Sequence, residues 1–395
     1  MKADYQSTTS IRAWQSTSPR YENLTRKLRA VQALALYLPQ LPFIYLDTLV
    51  GTTYYGRPSW SFQFRAFRLV LAYFIWAKNP GTRPALDVLT DASREAIGKL
   101  KCGQRAELIV VPARPDQIVG DAVHELVQPE VCPCFWQWLD DMPSPATDDR
   151  PMHQRRVMMY FVGGGMVQGH PLQSALGWRI MSKTAVPIFG VNFRKCVTKQ
   201  TAFPAALQDA VAAYFYLLDL GFARENISIM GDSGGGGIAT TLLLYLKRHG
   251  FPMPDNAVLV SPFVDLVDDF QGDPEPLHLD ILNPEMCSMV QYQYTENRPD
   301  LRATLLSPSR AELPEGYSYE GFPRTMMVWG EVEIFKRGIE KLVECLRRAG
   351  VDVECVVGKD EVHDYPVFTR NFSDDGFFGK IVPFQDAKAA TRAKL

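Results

Sequence analysis

The chain of 395 residues sets 42 Lys and Arg against 44 Asp and Glu, a formal net charge of −2 with a pI near 6.3. That balance leaves no electrostatic footprint for nucleic acid, and the length suits one large core with additions. The seven cysteines are odd in number and scattered, so they read as free intracellular thiols, not as a disulfide framework or a zinc site.

Residues 1–20 are dominated by Ser, Thr and Gln without any period, and read as a disordered N-terminus with no signal-peptide core. Residues 21–100 are rich in Leu, Phe, Tyr and Trp at helical spacing and predict a helical cap region. Within it, Val31–Val50 is broken by Pro39, Gln40, Pro42 and Asp47, and Leu69–Trp76 is short. Neither supplies the ~20 apolar residues of a spanning helix, so buried cap helices are expected and no membrane span; weak surface attachment stays open.

From Arg105 the period changes, opening a domain over 101–395. Leu108–Val111 predicts a strand, Gln117–Val127 is a candidate second, and Pro129–Arg150 reads as a long surface excursion. Short apolar runs then follow at Val157–Phe161, Val186–Phe193, Ile227–Met230, Ala257–Val260, Thr325–Trp329 and Val351–Val357. Each is of the kind buried on both faces of a parallel sheet. Helical stretches at Leu172–Lys183, Phe203–Leu220, Ile238–His249 and Lys336–Ala349 separate several of them, the pattern of an α/β sheet covered on both faces. Between Asp265 and Phe322 the rhythm fails, which predicts an insertion over the carboxyl edge of the sheet.

The chemistry gathers at three places. After the run Ile227–Met230, Gly231, Ser233 and Gly235 stand in G-x-S-x-G register ahead of an apolar helix that stops at Lys247-Arg248-His249-Gly250. This is the nucleophile elbow, which exposes the Ser233 hydroxyl at a strand-to-helix corner. A phosphate loop is the competing reading, but no G-K-[ST] is present. Upstream, Val162-Gly163-Gly164-Gly165 follows a strand, and the bare N–H groups of Gly163 and Gly164, with that of Gly234, suit an oxyanion.

A nucleophilic serine needs a base, and the base an orienting carboxylate. In the chain order serine, acid, histidine, the base falls at His363, just after the last strand. His124, His153 and His170 precede the serine, His249 ends the elbow helix, and His278 lies in the irregular segment. For the acid, the turn after Thr325–Trp329 offers both Glu331 and Glu333.

Taken together, Tyr160–Gly165, Phe203–Asp209 (F-P-A-A-L-Q-D), the G-D-S-G-G-G run from Gly231, Ser261–Leu266 (S-P-F-V-D-L), Gly330–Glu333 (G-E-V-E) and the late His363 resemble the hormone-sensitive-lipase-like branch of the α/β-hydrolases. The resemblance spans about Val157 to Tyr365, and Arg57–Ser61 resembles fungal members more loosely. It implies an eight-stranded, mostly parallel sheet with helices on both faces, a cap completed by an insertion at about 266–322, and ester hydrolysis without cofactor or metal. It also places the acid three positions after Gly330, at Glu333. Three departures stand out: Val162 replaces a histidine thought to brace the glycine loop, the acid is Glu and not the usual Asp, and Phe193–Thr198 replaces a segment of the adjoining pocket wall.

The expectation is therefore a serine hydrolase that cleaves a carboxylic ester or lactone of an apolar small molecule, with Ser233, His363 and Glu333 as its triad. The resemblance to fungal members implies a specialised-metabolite pathway. An acyltransferase or non-hydrolytic catalyst on the same scaffold, and a non-catalytic small-molecule receptor, are the alternatives. A homodimer is compatible with this reading, and the terminal Ala393-Lys394-Leu395 allows peroxisome as well as cytoplasm.

Overall fold

Eight short runs rich in apolar and β-branched residues form one sheet in the computed structural model, which describes residues 31, 35, 38–51, 54, 56–77, 97–270, 279–310, 312–368 and 376–392. The strands are β1 (Gln104–Val111), β2 (Cys132–Leu139), β3 (Val157–Phe161), β4 (Ile188–Val191), β5 (Ile227–Asp232), β6 (Asn256–Val260), β7 (Arg324–Gly330) and β8 (Val353–Gly358). Their spatial order is β1-β2-β4-β3-β5-β6-β7-β8. β1 and β2 run antiparallel at one edge, and β3 to β8 are parallel. Every residue of β3, β5 and β6 is buried, as strands covered on both faces require. Edge strand β1 instead alternates partly covered and exposed positions along Gln-Arg-Ala-Glu.

The expected excursion at Pro129–Arg150 is corrected by β2, which buries Cys132 to Gln137 between β1 and β4. Pro133 is the second residue of β2, ahead of the pairing with β4 that begins at Cys134. A proline near a strand start removes little of the ladder. The candidate strand at Gln117–Val127 is likewise corrected: it begins at the end of the helical turn Pro115–Gln117 and contains a second one, Gly120–Ala122.

Among the described residues the α-helices are, in chain order, α1 (Leu41–Val50), α2 (Phe62–Ala77), α3 (Ala175–Thr184), α4 (Ala205–Asp219), α5 (Ser233–Arg248), α6 (Pro284–Thr295), α7 (Lys336–Arg348), α8 (Tyr365–Phe368) and α9 (Phe377–Arg392). α7 shows why such helices dock. Its Ile339, Leu342, Val343 and Leu346 are buried at helical spacing while charged residues fill the other face. α6 gives the irregular segment between β6 and β7 a helix of its own, capped by Asn283 Oδ1, which accepts from the Met286 N–H at 2.9 Å.

At the N-terminal side, Asp47 of α1 and Arg65 of α2 form a buried ion pair. Only Ile44 and Asp47 of α1 are buried, while Phe43, Tyr45, Leu46, Leu49 and Val50 face outward. The expectation of a buried cap helix over Val31–Val50 thus fails for most of α1, whose contacts among the described residues include the ion pair, Ile44 and the edge of Tyr45 on Phe62. No helix among the described residues is long and apolar enough to cross a membrane. Residues 1–20, the helix expected at Gly81–Leu100 apart from 97–100, His278, and Ala393-Lys394-Leu395 lie outside the described residues.

Candidate active site

In-register pairing brings the site together. Gly231 of β5 lies opposite Phe161 of β3 and Leu259 of β6, so the three carboxyl ends are level. The glycine loop leaves β3 there, and Ser233 begins α5 directly after β5. Ser233 has φ +50°, in the left-handed region that non-glycine residues rarely adopt. The flanking glycines are steric necessities. A Cβ on Gly231 would come 2.3 Å from the Gly235 carbonyl oxygen, and one on Gly235 would come 2.1 Å from the Phe161 carbonyl oxygen.

His363 follows β8 and reaches back over this corner, with its Nε2 2.9 Å from Ser233 Oγ. Its Nδ1 lies 3.7 Å from Glu333 Oε1, an ion-pair separation longer than a hydrogen bond. Glu333 is fully buried in the turn after β7, where its Oε2 accepts from Ser261 Oγ at 2.6 Å and from the Gly330 N–H at 2.8 Å. Glu331, the other carboxylate of that turn, accepts the Asp360 N–H at 3.0 Å instead. The structure thus brings Ser233, His363 and Glu333 to one place.

The glycine loop closes on the same corner. A Cβ on Gly163 would lie 3.1 Å from Ser233 Cβ and 2.4 Å from Asp232 Oδ2, so the loop packs directly on the elbow. The Gly164 carbonyl accepts the N–H groups of Val167 at 3.2 Å and Gln168 at 3.1 Å. A Cβ on Gly234 would meet the Met166 nitrogen at 2.6 Å, so elbow and loop are in direct contact. Val162 is buried and lines the cavity beside Ser233.

That cavity measures about 300 Å³. Val162, Phe263, Ile281, Leu282, Met286, Val290, Phe335, Val367 and Phe368 give it an apolar wall, and Gln168, Gln173, Ser174, Asp232 and Asp364 add polar groups. Ile281 to Val290 come from the segment between β6 and β7, so that segment roofs the site. Phe193–Thr198, expected in the pocket wall, does not line this cavity. Arg194 is drawn into the core by a 2.9 Å ion pair with buried Asp209 and by Gln208 Oε1 at 2.9 Å, both from the F-P-A-A-L-Q-D motif.

Sequence reasoning passed over two acids here. Asp280 is buried, and its carboxylate accepts from the backbone N–H groups of Ile281 at 2.7 Å, Ile334 at 2.8 Å and His363 at 2.9 Å. Burial raises its pKa to about 6. The available signal was an aspartate embedded in Leu279-Asp280-Ile281-Leu282, since a buried carboxylate requires partners. Asp364, next to the base, places Oδ2 3.3 Å from His363 Nε2.

Electrostatics follow from these contacts. Burial disfavours the His363 imidazolium, but the carboxylates of Asp364 and Glu333 outweigh it and hold the ring well above its ordinary pKa. Asp232 is pushed up to about 8, first by burial and then by the charge of Asp364, against the hydrogen bond from Tyr160. Tyr160 is itself raised by burial and by Asp232.

The Arg57–Ser61 motif meets the histidine loop from the other side. Trp60 Nε1 donates to the Asp360 carbonyl at 2.7 Å, and Ser59 Oγ to the Asp360 carboxylate at 2.7 Å. Three residues on is His363.

A serine on a left-handed corner, a histidine at its hydroxyl and glycine loops around both agree with what sequence comparison finds. A family model described as alpha/beta hydrolase fold matches residues 158–367. The chain belongs to the alpha/beta-hydrolase fold family. It is 29% identical over 227 residues to the acetyl-hydrolase of Streptomyces hygroscopicus, covering 56% of this chain and 68% of that one. It is 31% identical over 127 residues to the ethyl acetate hydrolase of Pseudomonas putida, covering 31% of this chain and 39% of that one. The crystal structure of the HSL-homolog EstE7 from a metagenome library shares the fold, with TM-score 0.60, 23% identity, and coverage of 82% of this chain and 98% of that one.

Proposed function

We propose that this α/β-hydrolase cleaves a carboxylic ester or lactone of an apolar small molecule, on the hormone-sensitive-lipase-like branch of its family. The observation that carries the reading is the 2.9 Å contact between Ser233 Oγ and His363 Nε2 at an elbow with φ +50°, opening into an apolar cavity. The names of the acetyl-hydrolase and ethyl acetate hydrolase relatives support ester chemistry.

In this reading His363 takes the Ser233 proton as Oγ attacks the ester carbonyl. The carbonyl π electrons move onto oxygen, where the N–H groups of Gly163, Gly164 and Gly234 receive the charge. Collapse breaks the bond to the alcohol, which leaves with the proton from His363. Water then repeats the sequence on the acyl-enzyme, releasing the acid. Glu333 orients the imidazole and stabilises its cation. No cofactor or metal enters these steps. A specialised-metabolite ester is the finer form of the proposal, supported by the likeness of Arg57–Ser61 to fungal members.

A cavity of about 300 Å³ fits a short acyl or alcohol group better than a long chain. Hydrolysis of p-nitrophenyl esters of increasing acyl length tests this: kcat/KM should peak at short chains and vanish in Ser233→Ala. Turnover that survives in Ser233→Ala would contradict the reading.

A further inference from the structure

We propose that Asp364 is a positioning residue of the general base, pairing with His363 at Nε2, the nitrogen that also faces Ser233, so that the resting enzyme keeps a proton on the imidazole. The geometry is specific. Asp364 Oδ2 lies 3.3 Å from His363 Nε2, beside Ser233 Oγ at 2.9 Å, while Glu333 stands on the opposite side of the ring at 3.7 Å. One imidazole is thus flanked by two carboxylates, and one of them competes with the nucleophile for the same N–H.

Asp364 is built into this place. Its backbone has φ +52°, and its N–H donates to Ser261 Oγ at 3.0 Å, the hydroxyl that itself donates to Glu333 at 2.6 Å. A single serine therefore ties both carboxylate-bearing loops together. The Asp364 side chain is 14% exposed, and its Oδ1 is buried without a hydrogen-bond partner among the described residues. A carboxylate so placed needs a cation, because burying an unpaired charge is costly.

The groups facing the ring are Asp232 and Ser233 from the elbow, Glu333 from the turn after β7, and Asp280 from the segment between β6 and β7. Tyr160 of β3 stands behind Asp232, and Glu361 and Tyr365 belong to the histidine's own loop. None of these can be positive, and among the described residues no Lys or Arg lines the cavity. His363 is the one group in this set that can supply the charge. With Nε2–H directed at Asp364, Nε2 has no lone pair to receive the Ser233 proton, and the nucleophile has no base until the Nε2 proton leaves to solvent. Ester cleavage would then switch on with rising pH.

The rate part of this inference rests on the ester-hydrolase reading; the protonation part does not. The test is an NMR titration of protein labelled at histidine Cε1, with His363 assigned by its loss in His363→Gln. Asp364→Asn is compared with wild type, since asparagine keeps the shape and tolerates positive φ. An opposite charge this close shifts a pKa by about 1–3 units. The His363 midpoint should therefore fall by at least about one unit in Asp364→Asn, and the acid limb of kcat/KM should move down with it. Asp364→Gly, which also fits φ +52°, should give the same shift and serves if the asparagine variant misfolds. An unchanged midpoint in the folded variants would overturn the proposal. A shifted midpoint without ester turnover at any pH would keep the protonation role and reject the hydrolase reading.

Discussion

Asp280 holds His363 by the histidine's own backbone: the His363 N–H donates to the Asp280 carboxylate at 2.9 Å. The other oxygen takes the Ile334 N–H at 2.8 Å, one residue past Glu333. One buried side chain from the roof segment therefore sets the positions of both the proposed base and the proposed acid. Asp280→Ala leaves these donors and the Ile281 N–H buried and unpaired. At ~1 kcal/mol or more for each unsatisfied group, the loss should be on the order of 3 kcal/mol. Urea denaturation checks it; a loss below ~1 kcal/mol would show that the loops are held by other means.

The two glutamates of the same turn should separate sharply. Glu333 is fully buried beside the imidazole, whereas Glu331 turns away to the Asp360 N–H. Glu333→Gln should lower kcat by ~10³–10⁴, the scale seen when a triad acid loses its charge, and Glu331→Gln by less than about threefold. Steady-state kinetics decide it. The reverse order would move the acid to Glu331.

Much of this was legible in the sequence, and what was not has physical causes. β3 and β5 to β8 stood out because strands of a covered parallel sheet are short apolar runs, and Ser233 because the elbow tolerates only glycine at Gly231 and Gly235. β2 was hidden by Pro133, which the strand accommodates at its second residue. Asp280 was hidden because its partners Ile334 and His363 lie 54 and 83 residues away, and Asp364 because adjacency to His363 does not say that its carboxylate turns back to Nε2. No local pattern records such contacts.

Val162 stands where a histidine would brace the glycine loop, and backbone hydrogen bonds are present in that loop. The Gly164 carbonyl accepts from Val167 and Gln168, and Gly234 packs against the loop at Met166. Val162→His should therefore change kcat on p-nitrophenyl acetate by less than about threefold. A tenfold gain would show that the backbone pins are insufficient.

Asp232 should make stability fall with pH. Its folded pKa of about 8 lies above the ordinary 3.8, so the fold binds this proton more tightly than the unfolded chain does. Stability from this group is complete below pH ~4 and is lost as pH rises through about 8. Asp232→Asn carries no such loss, so its Tm relative to wild type should climb between pH 5 and pH 9, whatever its offset at pH 5. A flat difference across that range would mean that Asp232 ionises freely in the fold.

Covalent capture reads out whether Ser233 is a nucleophile activated by His363. The protein is treated with a fluorophosphonate, digested, and its peptides are mapped by mass spectrometry. The account predicts one phosphonyl adduct, on Ser233, formed faster as pH rises, lost in Ser233→Ala and slowed by ~10³ or more in His363→Ala. An adduct on another serine, or labelling of Ser233 at the same rate without His363, would contradict it.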